Sequence, residues 1–134
     1  MLSLSVAISD DGGVFNHWLA FLEDSTSPST LVLQAMGSNA RFRLEPVRDA
    51  HPRSDPDRRL LHLLHMADLD ASMESVLAIA EMKVPIRKDV AGWDCQCFVM
   101  DLQGVLDGKG QIDGGDHGYV ARKRGLRGRM EGMD

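Results

Sequence analysis

Residues 92–102 read GWDCQCFVMDL and hold the only two cysteines of the chain, one residue apart. The apolar residues that follow, Phe98, Val99, Leu102, Val105 and Leu106, recur at helical spacing. Asp94 is the kind of short acceptor that caps a helix start, and Gly108 the kind of residue that follows a helix end. The spacing predicts a helix from about Asp94 to Leu106, with Cys95 in its first turn. Three roles are open to the thiol pair: packing, a metal or redox couple, or one nucleophile beside a bystander.

Most of what precedes this helix reads as strand. Leu2 to Ile8 alternates loosely and stops at Asp10-Asp11-Gly12-Gly13, a turn signal. Phe15 to Leu22 (FNHWLAFL) puts His17, Leu19 and Phe21 on one pleat face and Trp18, Ala20 and Leu22 on the other, so both faces are predicted to be buried. Thr30 to Met36 and Arg41 to Val47 supply a third and a fourth strand. Residues 48–58 are polar, contain Pro52 and Pro56, and are expected to form an exposed loop. Arg59 to Leu69 fits either period. It is taken as a fifth strand because Asp68-Leu-Asp70-Ala-Ser72 then becomes a helix start, followed by the stripe Met73, Val76, Leu77 and Ala80. The expected class is α+β, with an antiparallel sheet of about five strands and helices packed on it.

Composition narrows the rest. The chain has 134 residues, 43% hydrophobic and 26% charged, as for an ordinary globular domain. A net charge of −5 gives no reason to expect nucleic acid as a main partner. No apolar run approaches the roughly 20 residues that span a bilayer, so no transmembrane anchor is expected. The start, MLSLSVAISDDGG, has no positive n-region and does not read as a signal peptide. Two thiols this close would staple only a tiny loop, which favours a reducing, cytoplasmic setting. Residues 1–112 are expected to form the domain. Residues 113–134, with Arg122, Lys123, Arg124, Arg127 and Arg129, read as a basic flexible tail, or alternatively as a contact for anionic lipid or nucleic acid.

A thiol in the first helical turn sits among unpaired N–H groups at the positive end of the helix dipole, which favours the thiolate. The same N–H groups suit the oxyanion of a tetrahedral intermediate. A cysteine nucleophile also needs a base. His17 is the candidate, on a strand of otherwise large apolar residues; a core histidine satisfied by backbone is the alternative. Cys97, two residues beyond Cys95, points about 200° away on a helix. That disfavours a shared metal or a relaxed disulfide, and makes packing its expected role. His62 and His65 point to opposite faces if they lie on a strand, and would be neighbours only on a helix.

The HWLAFL box followed by DCQCFVMDL resembles the HWALY-type and NCEHFV-type boxes of the lecithin:retinol acyltransferase-like proteins, a circularly permuted branch of the NlpC-type papain-like superfamily. The order, histidine strand first and cysteine helix last, is that of the permuted branch. The resemblance spans roughly residues 15–107, and small fungal proteins with an HW box and a CQ box look similar too. It implies Cys95 as nucleophile, His17 as base and Gln34 as the residue that orients the base, where the family often has a histidine. Asp94 stands where the family commonly has Asn, and Cys97 where it has a second histidine. Gln34 bears no charge and stabilises an imidazolium less than a carboxylate would.

The resemblance implies a cysteine-dependent hydrolase or acyltransferase working through a thioester, with no cofactor and no metal. The substrate would be a small molecule, a lipid or a peptide, and the role that of a tailoring or cyclising step in small-molecule biosynthesis. Trp18 and Trp93, beside the two boxes, are expected as core residues or as substrate-binding walls. A catalytically weak binding or regulatory module on the same fold is the alternative.

Overall fold

The computed structural model describes residues 1–37 and 41–132. Five strands, β1 (Leu2–Asp10), β2 (His17–Asp24), β3 (Thr30–Met36), β4 (Arg43–Arg48) and β5 (Arg59–Leu69), form one antiparallel sheet in the order β4-β3-β2-β1-β5. Three helices follow, α1 (Met73–Lys83), α2 (Cys95–Gly108) and α3 (His117–Arg127). The α+β class and the five-stranded antiparallel sheet are as expected.

β2 is buried on both faces from His17 to Leu22, which its sequence of large side chains demands. Trp18, Ala20 and Leu22 join Leu4, Val6 and Ile8 of β1 in the main core. The helices close that core with Val76 and Ala80 from α1, and Phe98, Leu102 and Leu106 from α2. On the opposite face, Leu19 and Phe21 meet Ala7 and Val32 in a smaller cluster. That face is closed by the β4–β5 connection. There His51 lies edge-on to Phe21 with ring centroids 4.8 Å apart, and Pro52 is buried at the start of a short 3-10 turn. The expected exposed loop is therefore a partial cover, because two apolar pleat faces need two lids.

α2 packs chiefly on β2 and β3. Its start is set by Asp94, whose Oδ1 accepts from the backbone N–H of Gln96 at 3.0 Å and of Cys97 at 3.4 Å. Ser72 and Asp116 cap α1 and α3 in the same way.

The segment expected as a flexible tail is not one. α3 buries Tyr119 and Leu126 in the main core, with Ile112 ahead of it. Arg122 Nε donates to the Met66 carbonyl of β5 at 2.8 Å. Two apolar residues seven apart anchor one stripe of the helix, and the cations occupy the rest.

Beyond α3 the chain returns to the start of α2. The fully buried Gln96 amide donates to the Glu131 carbonyl at 3.0 Å and accepts from the Glu131 N–H at 2.7 Å. Glu131 Oε1 accepts from the backbone N–H of Asn16 at 3.0 Å. Residues 16, 96 and 131 are thus tied together beside the two sequence boxes.

Candidate active site

His17 opens β2 and Cys95 opens α2, and the antiparallel sheet brings these two ends together. His17 and Cys95 both line one cavity of about 460 Å³. Phe15, Met36 and Phe42 add apolar wall to it, and Arg58, Asp11 and Asp94 are its other charged neighbours. Its size is that of a small-ligand pocket.

The His17 ring is buried. Its Nε2 lies 2.8 Å from Gln34 Oε1. The amide oxygen can only accept, so Nε2 carries the proton and the Nδ1 lone pair is left for another partner. Burial lowers the pKa of His17 below the usual 6.5; the Gln34 hydrogen bond opposes this and the Arg58 charge adds to it. The ring is neutral at neutral pH and able to accept a proton. Gln34 lines a second cavity of about 420 Å³ under the β4–β5 connection and is not part of the first.

Cys95 Sγ accepts a hydrogen bond from the backbone N–H of Trp18 at 3.5 Å. Among the described residues, no hydrogen bond joins the thiol to the His17 ring. Burial pushes the Cys95 thiol up to about 11, with the Trp18 N–H opposing and the Asp94 carboxylate adding to the rise. The expected lowering by the helix terminus is overturned. Asp94 occupies the positive end of α2 and takes the N–H groups of Gln96 and Cys97. Cys95 is a neutral thiol at neutral pH, and its own N–H is not one of the two that Asp94 takes.

Cys97 is half-buried with its sulfur 4.0 Å from the Gly92 carbonyl, and the two thiols are free. The tryptophans are not walls of this cavity. Trp18 alternates away from His17 into the main core, fully buried, and its Nε1 has no partner among the described residues. Trp93 donates Nε1–H to Asp101 Oδ2 at 3.1 Å and stacks edge-on against Phe42. Phe15, Phe42 and Arg58 border the cavity instead. The two phenylalanines lie next to strand ends, and nothing in the local sequence of Arg58 marks it beyond the i,i+3 spacing from Asp55.

His62 and His65 lie on a strand and find different partners, Arg129 at 3.4 Å and Ser3 Oγ at 3.1 Å. Among the described residues no three His, Cys, Asp or Glu side chains converge in a way that would hold a metal ion. A wider cleft of about 1040 Å³ lies at the other end of the sheet, edged by Asp24, Asp68, Asp70, Asp107 and Asp113. Among the described residues no helix is long and apolar enough to cross a membrane. No protein-family model, curated protein or solved structure matches the sequence.

Proposed function

We propose that the chain is a cysteine-dependent acyl-transfer enzyme with a circularly permuted papain-like fold, working in the reducing cytoplasm. The observation that carries this reading is the shared cavity. His17, from the first quarter of the chain, and Cys95, some 80 residues later, line the same small hollow, and the imidazole is held by its Nε2 so that Nδ1 is available. A papain-like nucleophile–base–orienter arrangement has that polarity.

In the proposed reaction the Cys95 sulfur attacks the carbonyl carbon of an ester or amide as its thiol proton passes to His17 Nδ1. The oxyanion faces the uncapped N–H of Cys95. Collapse breaks the bond to the leaving alcohol or amine, which takes the proton from His17, and a thioester remains. Water, an amine or a hydroxyl then attacks the thioester carbon, and the thiol returns. Because Cys95 starts as a neutral thiol, His17 acts as a general base during attack and not as the partner of a resting ion pair. Substrates are small molecules, lipids or peptides, and a tailoring or cyclising step in small-molecule biosynthesis fits the size of the cavity.

A second reading has a specific observation behind it. The raised Cys95 pKa and the carboxylate at the helix start are features of a binding or regulatory module with a weak site. Acyl probes with ester, amide and lipid groups separate the two by intact mass. The enzyme reading expects one acyl adduct on Cys95, lost in Cys95→Ala and strongly slowed in His17→Ala. Slow, equal modification of Cys95 and Cys97 overturns it in favour of the binding module.

A further inference from the structure

Among the described residues, Arg58 is the one strong positive charge on the cavity that holds His17 and Cys95, and its hydrogen-bonding capacity is largely unspent. Its side chain is 15% exposed. Nη1 donates to Asp55 Oδ2 at 2.9 Å, while Nη2 has only the thioether of Met36 at 3.3 Å. Nε is buried with no partner among the described residues. A guanidinium has five N–H donors, and a thioether sulfur is a weak acceptor. Keeping such a group largely out of water with one carboxylate for company is costly unless another acceptor visits it. Phe15, Ala35, Met36 and Phe42 give the cavity apolar wall, and among the described residues its acceptors Asp11, Asn16, His17 and Asp94 make no hydrogen bond to the guanidinium.

We infer that Arg58 binds a carboxylate carried by the substrate, next to the acyl group presented to Cys95. This rests on the acyl-transfer reading of the site and adds the substrate class to it. A planar carboxylate matches the guanidinium fork. The remaining charges on the cavity select a monoanion. Asp94 is committed to capping α2, and Asp11 accepts from the Gly13 N–H at 3.0 Å. Both acidic residues line the same cavity, so a dianion such as a phosphate monoester meets twice the repulsion of a monoanion.

Iodoacetate and iodoacetamide differ by this one charge, and each alkylates a thiol by the same displacement. A sulfur–carbon bond forms, iodide leaves, and the thiol proton is taken up by base. Cys97 is the internal control, since it is outside the cavity. With both rates read by peptide mass at each cysteine, the iodoacetate-to-iodoacetamide ratio at Cys95 is expected to exceed that at Cys97 by about tenfold, the order of one charge-assisted contact. Arg58→Gln brings the two ratios together and Arg58→Lys keeps part of the difference. Equal ratios in the unaltered protein, or a ratio that Arg58→Gln leaves unchanged, overturn the inference.

Protection of the unaltered protein probes the same preference without a variant. Acetate slows iodoacetamide labelling of Cys95 and not of Cys97, and acetamide slows neither. Phosphate protecting better than acetate overturns the assignment to a carboxylate. The two readings fail separately. Labelling of Cys95 that depends on His17 but shows no carboxylate preference removes the anion site alone. A carboxylate preference that persists in His17→Ala at an undiminished rate removes the acyl-transfer chemistry alone.

Discussion

The backbone N–H of Trp18 donates to the sulfur of Cys95 at 3.5 Å, so β2 holds the thiol by its main chain and not by the imidazole one residue earlier. The contact stabilises a thiolate once formed, but burial outweighs it. Reactivity therefore has to come from proton transfer at the moment of attack.

His17→Ala is expected to slow acylation or alkylation of Cys95 by about 10²–10⁴-fold, the usual contribution of a general base. Cys97→Ser should leave the rate unchanged. The pH–rate profile of the unaltered protein should show an acid limb below 6.5, where His17 takes up its proton. In His17→Ala that limb disappears and reactivity only climbs toward about 11, the value for the buried thiol. Timed alkylation with peptide mass readout measures both.

Gln34→Ala removes the acceptor of a buried imidazole N–H. An unsatisfied buried donor costs about 1–3 kcal/mol, to be read from urea denaturation. The rate at Cys95 should fall as the ring loses its orientation. Gln34→Glu should restore orientation and move the acid limb to higher pH, because a carboxylate beside the ring favours the imidazolium. A role confined to packing would leave the limb where it is.

Stability should fall on both sides of neutrality. His17 has a depressed pKa in the fold, so below about 6.5 the unfolded chain binds its proton first, and stability is lost as pH falls through the native value. Cys95 has a raised pKa, so the unfolded thiol ionises first, and stability is lost between the ordinary 9.0 and about 11. Denaturant midpoints across pH, compared with His17→Gln and Cys95→Ala, should show each loss reduced in its own variant.

Leu126→Ala tests the third helix. A fully packed leucine is worth about 2–5 kcal/mol on truncation, and Leu126 is 1% exposed. A change near zero in thermal or urea unfolding would return residues 117–127 to the status of a tail.

The strands were legible because their signals are local. Thr30–Met36 has the bounds that its flanking residues indicate, Arg59–Leu69 was decided by the helix start that follows it, and Asp94 announced the start of α2 as a cap residue. α3 was hidden because four cations dilute its two core residues, and only the neighbouring sheet shows where Tyr119 and Leu126 go. That His17 and Cys95 line one cavity, with Gln34 hydrogen-bonded to the imidazole, followed from matching two boxes, but the thiol's charge state did not. It depends on burial and on a capping carboxylate, which are properties of the assembled fold. Arg58 was invisible for the same reason: its shelter comes from Asp55, Met36 and the cavity wall together.

The link between Gln96 and Glu131 spans 35 positions, and it orders events during synthesis. While the polypeptide is still leaving the ribosome, the amide beside the thiol has Asp94 Oδ2 for its nitrogen and no mate for its oxygen. The sheet and α2 can dock well before this, but the surroundings of Cys95 are completed only when the downstream segment arrives. A nascent chain therefore presents the start of α2 before the Gln96–Glu131 fastening is made.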